Sequence, residues 1–296
     1  MNKKILLIVN LHSGKGTIKR KLPSIINNLS GAGYEVDVHY TKPNYKPAKI
    51  MREYNKNVDL IICCGGDGTL NEVVNYVMKS EINSKISFIP LGTMNDFAHT
   101  IKMSTNKTYL SRNINNCRHV KSDIGKFNTV YFNYVAAFGA FVPVPYVTPQ
   151  SLKRIFGKFA YFIVAFSYIS KIREVPIVLE VNGKHIEDEF VFGSISNSKT
   201  IGRIRWFKRN EVKIDDGKFE MMFVKKPKNV LQFIDMVFAL LIKNHNKKYF
   251  YFFQTDEVSI KSDAGIPWTL DGEYGGRLKH VTIKNNKQSV TYIVPV

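Results

Sequence analysis

The chain has 296 residues, 44% of them hydrophobic and 23% charged, which is enough apolar material for one large or two ordinary packed domains and excludes an intrinsically disordered chain. Its 43 lysines and arginines outnumber 24 acids, and the net charge of +19 attracts nucleotides, anionic membranes and nucleic acids alike. The longest apolar stretch, residues 159–169, is far shorter than the roughly 20 residues of a membrane-spanning helix, so membrane contact is expected only at the surface. Three cysteines without metal-ligand spacing indicate a reducing, cytoplasmic setting.

The first 125 residues alternate β-favouring apolar runs with helical stripes. Four runs predict strands, at Ile5–Val9, Tyr34–Tyr40, Leu60–Cys64 and Ile86–Pro90. Pro23 interrupts the first helical stripe, so that helix is expected to start late or to bend. The alternation predicts an α/β domain over residues 1–125, with a parallel sheet, helices on both faces and ligands at the carboxyl ends of the strands.

A glycine-rich turn follows the third predicted strand and leads into an amphipathic helix. It reads Gly65-Gly66-Asp67-Gly68-Thr69. Glycines let backbone N–H groups approach a ligand, and a helix N-terminus adds partial positive charge, so the turn is typical of a phosphate-binding site. A carboxylate there would repel phosphate unless a cation intervened, so Asp67 is predicted to serve the Mg²⁺ of a nucleotide. The alternative is a plain turn in which Asp67 or Thr69 caps the helix.

Two more loops follow predicted strands in the same way. Residues 10–14 read Asn-Leu-His-Ser-Gly after strand one, and small residues with backbone donors at a helix start suit a phosphate or a ribose. Residues 91–98 read Leu-Gly-Thr-Met-Asn-Asp-Phe-Ala after strand four. The alternative for the second loop is that Asn95 or Asp96 caps the next helical turn.

Beyond residue 125 the pattern changes to short strands separated by turn signals. This pattern predicts a mainly antiparallel β-sandwich over residues 126–296, with the final strands able to pack back on the first domain. Two helical insertions interrupt it, at Ser151–Arg173 and Asn229–Lys243. The predicted strands are Val130–Phe138, Pro176–Val181, Ile186–Ser194, Phe219–Val224, Val258–Lys261, Trp268–Asp271, Val281–Lys284 and Ser289–Val294.

Together these elements resemble the diacylglycerol kinase catalytic-domain family, and above all its soluble bacterial lipid kinases. The likeness continues with Asn71-Glu72, with Asp-Ile-Gly at 123–125 and with Leu-Asp-Gly-Glu at 270–273, so it covers nearly the whole chain. The glycine-rich turn alone is shared with NAD kinases, whereas the elements in this order and spacing are specific. Leu11 departs from the pattern, because the family usually has proline there.

The resemblance implies roles for individual residues. Glu273 corresponds to the family's proposed general base, which accepts the proton of the attacking hydroxyl. Asp67, Asp96 and Asp123 would hold Mg²⁺ beside ATP, although Asp123 could instead cap a turn. The implied nucleotide-binding residues are Asn10, Ser13, Gly14, Thr41, Gly65, Gly66, Gly68, Thr69, Gly92, Thr93 and Asn95.

Two acidic segments in the second half of the chain each allow two interpretations. Asp271 and Glu273 would face the same side of an extended strand, or they would be solvated acids at a hairpin end. Asp216 lies where family members can hold a second, structural Mg²⁺, but Lys213 stands where an acid is common. A plain Asp-Gly turn is therefore the alternative for Asp216.

The sequence thus predicts an ATP- and Mg²⁺-dependent lipid kinase, most specifically one that converts diacylglycerol to phosphatidic acid. An NAD kinase-like enzyme and a non-catalytic nucleotide- or membrane-binding regulator are the alternatives. The expected partners are a membrane lipid and the anionic inner face of the cell membrane, which the protein would contact peripherally from the cytoplasm. A homodimer stays open, and no nucleic acid is expected because no recognition motif accompanies the charge. The basic, aromatic insertion Ser151–Arg173 is the candidate membrane contact, or else a core helix with basic ends.

Overall fold

The computed structural model describes residues 3–54, 58–92, 95–139, 173–198, 212–242, 244 and 248–296. The described strands are β1 (Lys3–Val9), β2 (Tyr34–Tyr40), β3 (Leu60–Gly65), β4 (Lys85–Pro90), β5 (Cys117–Phe127), β6 (Val130–Phe132), β7 (Val135–Gly139), β8 (Val175–Val181), β9 (Lys184–Phe190), β10 (Phe192–Ser196), β11 (Phe219–Val224), β12 (Phe250–Thr255), β13 (Glu257–Leu270) and β14 (Glu273–Pro295). The described helices are a 3-10 helix (Ser13–Arg20), α1 (Leu22–Gly31), α2 (Pro47–Glu53), α3 (Asp67–Lys79), α4 (Asp96–Thr100), α5 (Tyr109–Arg112) and α6 (Val230–Leu241).

The first four strands form the predicted parallel sheet, in the order β4-β3-β1-β2. Alternate residues of β1 enter two different cores, because successive side chains of a strand point to opposite faces. Leu6 and Ile8 pack under α2, α3 and α4, whereas Ile5, Leu7 and Val9 pack under the 3-10 helix, α1 and α5. The sheet is therefore covered on both faces, as predicted.

Pro23 has the expected effect on the first helix. A 3-10 helix covers Ser13–Arg20, and α1 starts only at Leu22 with the proline in its first turn. Proline is tolerated there because its missing N–H would have no partner within the helix.

The later strands pair antiparallel with one another. Their shared core is rich in aromatic residues, and the fully buried Trp268 lies at its centre with ring contacts to Phe127 and Phe138. The α/β first half and the antiparallel second half together confirm the predicted fold class.

β14 links the two halves of the sheet. It pairs with β13 and β5 antiparallel, and near its end Tyr292 pairs parallel with Ile86 of β4. The last strand of the chain therefore lies beside the first domain's sheet, and the division at residue 125 stays a prediction.

Several predicted strand limits were wrong. Val258–Lys261 and Trp268–Asp271 belong to the single strand β13, and Val281–Lys284 and Ser289–Val294 belong to β14. Both long strands contain register shifts, which break the alternation that sequence reasoning depends on. Conversely, two of the predicted strands are each divided in two by a turn or bend, giving β6 with β7 and β9 with β10.

The two predicted insertions differ in outcome. The second contains α6, close to its predicted bounds. The first falls mostly on residues 151–172, which lie outside the described residues. None of the described helices combines the length and the apolarity needed to cross a bilayer.

Candidate active site

The glycine-rich turn joins β3 to α3 at the carboxyl end of the parallel sheet. Gly65 ends the strand, Gly66 is the helix N-cap and Asp67 is the first helical residue. A Cβ built on Gly65 would lie 2.5 Å from Cβ of Thr69, so the turn closes tightly on its own helix. The N–H groups at this helix start have no partners within the helix and form a natural anion site.

The loop after β4 packs directly on this turn. A Cβ on Gly92 would lie 3.0 Å from Cα of Gly66 and 2.8 Å from Oδ1 of Asn95, an approach that only glycine permits. The backbone N–H of Asn95 donates to Oδ2 of Asp67 at 3.0 Å, with Asn95 in a left-handed conformation. Thr93, the other residue predicted to bind nucleotide here, lies outside the described residues.

The loop after β1 completes this end of the sheet. The Asn10 side chain donates to Oγ1 of Thr69 at 3.2 Å, and Gly14 lies so close to Leu91 that a Cβ would be 2.5 Å from its carbonyl oxygen. Gly14 has φ of +62°, which favours glycine for a second reason. Ser13, between them, opens the 3-10 helix.

A cleft of about 410 Å³ opens beside these loops. The predicted residues Asn10, Thr41, Gly68, Thr69 and Glu273 line it. The residues that the sequence prediction did not include are His12, Lys42, Pro43, Lys46, Pro47 and Glu72. The cleft is wide enough for a small ligand and has both cationic and anionic groups in its wall.

Glu273 reaches the glycine-rich turn from the other half of the molecule. A Cβ on Gly68 would overlap Oε1 of Glu273, so this carboxylate lies directly against the first turn of α3. Glu273 itself is exposed. The solvent-accessible Glu273 carboxylate thus lies next to an anion-binding helix start, where it contacts Gly68, the residue after Asp67.

Asp67 is a half-buried residue whose carboxylate is incompletely satisfied by the described residues. Oδ2 accepts the Asn95 N–H, while Oδ1 is buried without a hydrogen-bond partner among the described residues. Burial, together with the charges of Asp271 and Asp96, raises the pKa of Asp67 to about 6. A cation beside Oδ1 would offset this cost, because an opposite charge favours the ionised carboxylate.

Asp271 is a site residue whose structural role the sequence did not reveal. Asp271 and Gly272, both with positive φ, form the two-residue turn between β13 and β14, so the predicted extended strand through residues 271–273 was wrong. The Asp271 carboxylate is buried. It accepts hydrogen bonds from Asn71 Nδ2 (2.6 Å), Asn133 N and Nδ2 (2.7 and 3.1 Å), Tyr134 N (3.0 Å) and Val135 N (3.1 Å).

These hydrogen bonds tie α3, the segment around residue 133 and the β13–β14 turn to one another. The turn is therefore rigid, and Glu273 follows it directly. Burial raises the pKa of Asp271, and the N–H donors oppose that rise. Nothing near Asp271 in the sequence signals this arrangement, since its donors lie 136 to 200 positions away.

The described hydrogen bonds of Asp123 join it to segments other than the glycine-rich turn. Its oxygens accept N–H groups from Gly217 (2.6 Å), Gln288 (2.7 Å) and Asn285 (3.3 Å), so the carboxylate fastens the 217 loop to the irregular part of β14. Burial raises its pKa, the three donors lower it, and the acid that adds to the rise is Asp216. The predicted trio of Asp67, Asp96 and Asp123 around one ion stays a prediction, and the acids whose charges raise the pKa of Asp67 are Asp271 and Asp96.

Asp216 lies in an Asp-Gly turn, and the structural metal site at this position stays a prediction. Its Oδ1 accepts the Lys218 N–H at 3.0 Å, and Gly217 has φ of +85°. Within the described part of the chain, no group of three or more His, Cys, Asp or Glu side chains is arranged to hold a metal ion.

Fold and site together define a phosphotransferase. The site combines an anion-binding helix start, the Asp67 carboxylate with one oxygen unpartnered among the described residues, and the Glu273 carboxylate from the antiparallel half of the sheet. Residues 4–127 match the family model described as diacylglycerol kinase catalytic domain. Curated relatives named diacylglycerol kinase come from Staphylococcus saprophyticus (31% identity, covering 100% of this chain and 96% of the relative) and Staphylococcus aureus strain JH9 (33%, covering 94% and 88%).

Solved structures agree. A diacylglycerol kinase from Bacillus anthracis str. Sterne matches with a TM-score of 0.75 at 25% identity, covering 99% of this chain and 97% of that one. A further structure from the same organism matches with a TM-score of 0.80 at 26% identity and the same coverage. The chain belongs to the diacylglycerol kinase family and is a lipid kinase.

Proposed function

We propose that this lipid kinase uses ATP and Mg²⁺ to phosphorylate a hydroxyl group of a membrane lipid, most specifically diacylglycerol, giving phosphatidic acid and ADP. The observation that carries the proposal is the contact between Glu273 and Gly68 beside Asp67. This contact supports Glu273 as a proton acceptor next to the start of α3, where the phosphates would bind.

In this proposal the loops at the sheet's carboxyl end hold the nucleotide. The N–H groups at the start of α3 bind phosphate oxygens, and Gly66, which has no side chain, lets the phosphates approach the backbone there. The cleft bounded by Asn10, Thr41 and Thr69 takes the remainder of the nucleotide.

The residues present suit Mg²⁺. Oδ1 of Asp67 and Oδ1 of Asn95 are buried without a partner in the part of the chain that the structure describes, and both are hard oxygen atoms of the kind that this ion prefers. Asp67, with the buried Asp96 nearby, would hold the ion, which in protein sites is typically bound by one or two carboxylates together with substrate phosphates. Bound there, it would neutralise charge on the transferred phosphate.

Glu273 is the proposed general base. Its Oε1 accepts the proton of the lipid hydroxyl while the hydroxyl oxygen attacks the γ-phosphorus of ATP. The leaving ADP takes the electron pair of the broken P–O bond. Because Glu273 is exposed, the lipid hydroxyl can reach it from outside the molecule. Asp271 acts as a positioning residue, since its turn determines where Glu273 lies.

We further propose that the enzyme works on the inner face of the cell membrane as a peripheral protein of the cytoplasm. Its acceptor lies in a bilayer, and a net charge of +19 favours anionic lipid surfaces. This part of the proposal rests on charge and on the family's substrate class.

The test is transfer of labelled phosphate from ATP to a panel of acceptors in the presence of Mg²⁺. The panel contains diacylglycerol, phosphatidylglycerol, a sphingoid base and NAD. We expect label in diacylglycerol and none in NAD. Label in NAD alone, or in no lipid, would refute the proposed function.

A further inference from the structure

α6 is a firmly built helix on the outer side of the antiparallel strands. The side chain of Asn229 caps it by accepting the Gln232 N–H at 2.9 Å, and the Gln232 side chain accepts the Lys228 N–H in return. Phe233, Met236 and Ala239 are buried against the sheet. The orientation of the helix is therefore set by its inner face.

The opposite side of the helix is apolar and exposed. Leu231, Phe238 and Ile242 are 78%, 59% and 53% exposed. Their spacing of seven and four residues puts them in one line along the helix. Together with Val230 they make four of the eight large hydrophobic side chains that are exposed in the described part of the chain. We call Leu231, Phe238 and Ile242 the outer face.

Basic residues flank this outer face in the sequence. Residues 225–248 contain six lysines and one acid, Asp235. Lys225 is paired with Asp188 at 2.6 Å, whereas Lys228 is exposed. Asp235 is exposed and lies on the same side of the helix as the outer face. A helix with an apolar side and lysines around it is typical of helices that lie in a membrane interface.

We propose that the outer face of α6 inserts into the surface of an anionic bilayer and holds the kinase there. The charge of the exposed Lys228 and the net charge of +19 complement anionic head groups, and a basic residue near such a surface contributes about 1 kcal/mol. A second copy of the chain is a poorer occupant, because two molecules of charge +19 would repel one another. The inference rests on the proposed function for its purpose and names the surface through which that function reaches its lipid.

The test measures sedimentation of the full-length protein with vesicles in the absence of nucleotide. Vesicles of phosphatidylcholine alone are compared with vesicles that also contain phosphatidylglycerol. For the double substitution Leu231→Ser and Phe238→Ser we expect roughly 10- to 100-fold weaker binding to the anionic vesicles, because two large apolar side chains no longer insert. Val296→Ser, which removes an exposed apolar side chain elsewhere, is the matched control and should bind normally.

A variant that gains binding guards against loss of folding as the explanation. Asp235→Asn removes the acid beside the outer face, so binding to anionic vesicles should tighten about fivefold, while binding to neutral vesicles changes little. Unchanged binding in both the double variant and Asp235→Asn would overturn the proposal. A shift in oligomeric state with unchanged vesicle binding would assign the face to a second copy and would overturn it too.

Activity separates this inference from the proposed function. The double variant should lose activity on diacylglycerol in vesicles and keep it on a short-chain diacylglycerol dissolved as monomers. If the unmodified protein phosphorylates neither acceptor yet binds vesicles through the outer face, the proposed function fails and the membrane surface stands. If the double variant loses activity on both acceptors with vesicle binding unchanged, the membrane surface fails instead.

Discussion

Two carboxylates of the site, those of the buried Asp271 and the half-buried Asp67, have very different hydrogen-bond partners. Asp271 receives five N–H hydrogen bonds and forms the centre of a rigid turn. Asp67 receives one from Asn95 and leaves its other oxygen buried without a partner among the described residues. The negative charge of Asp271 even adds to the cost of ionising Asp67.

The number of hydrogen bonds that each carboxylate receives distinguishes a structural role from a ligand-binding role. A buried carboxylate whose hydrogen bonds are all made within the protein stabilises the fold. A buried carboxylate with a free oxygen costs stability unless a ligand completes it. By this criterion Asp271 supports the turn before Glu273, and Asp67 is the residue that we propose to bind a cation.

The largest expected effect is on catalysis, at Glu273. Glu273→Gln should lower the rate of phosphate transfer by roughly 100- to 10,000-fold, because the amide cannot accept the proton of the lipid hydroxyl. The measurement is label transfer from ATP to diacylglycerol, with circular dichroism to confirm folding. Glu257→Gln, which changes an exposed acid at the start of β13, should keep normal activity. Full activity in Glu273→Gln would refute its role.

The next effect is on stability, at Asp271. Asp271→Ala should lower the free energy of unfolding by about 3 kcal/mol or more, because several buried N–H groups lose their acceptor. Urea denaturation measures this change. Asp263→Ala, at an exposed position of the same strand, should change stability little. If the two variants are equally stable, the description of Asp271 as structural support is mistaken.

Gly68 tests the contact between the two halves of the site. Gly68→Ala should displace the Glu273 carboxylate and reduce activity by roughly 10- to 100-fold, because small misplacements of a catalytic group are costly. Stability should change by less than about 1 kcal/mol, since alanine favours the helix and the displaced group is the end of a mobile side chain. Gly31→Ala, where an added Cβ meets nothing within 4 Å, is the control for both measurements. Normal activity in Gly68→Ala would contradict the arrangement.

The smallest effect is a gain in stability at Asp67. The pKa of this carboxyl is raised from 3.8 to about 6 in the folded protein, so the folded state binds the proton more tightly than the unfolded state. Its contribution to stability therefore falls as pH rises from about 4 to 6 and stays lost above that range. Without metal at pH 8, Asp67→Asn should be more stable than the unmodified protein by roughly 1–2 kcal/mol.

Urea denaturation in the presence of a chelator checks this prediction at pH 8 and near pH 4. The advantage of Asp67→Asn should disappear at the lower pH, where both side chains are neutral. An Asp67→Asn variant less stable than the unmodified protein at pH 8 would show that the carboxylate is already satisfied within the fold.

Sequence patterns predicted the parallel half well. Three of its four strands, β1, β3 and β4, are mainly apolar runs, whereas β2 alternates polar and apolar residues. All four are followed by glycine- or proline-containing turns, and their observed limits differ from the predictions by at most two residues. β5 was missed because Arg118, His119 and Lys121 are exposed on it and give it no apolar run. β14 was divided because its pairing slips between Asn286 and Val290.

The parts of the candidate site formed by residues adjacent in sequence were predictable, whereas contacts between residues far apart in the chain were not. Gly65 to Thr69 form a continuous motif, so the turn could be recognised from the residues alone. Asp123 and Asp271 each lie in a motif-like segment, but what they do depends on partners far away along the chain. The family resemblance suggested a shared metal site for Asp123, which stays a prediction, and spacing suggested an extended strand for Asp271, which the structure corrects.

The most direct test of the central claim is a crystal structure with ADP and Mg²⁺. We predict phosphate oxygens on the N–H groups at the start of α3, and Mg²⁺ bound to Oδ1 of Asp67 directly, at about 2.1 Å, or through one water molecule. Glu273 should remain at Gly68, facing the position of the missing γ-phosphate. A nucleotide bound elsewhere, with the glycine-rich turn empty and Oδ1 of Asp67 still unpartnered, would contradict the account.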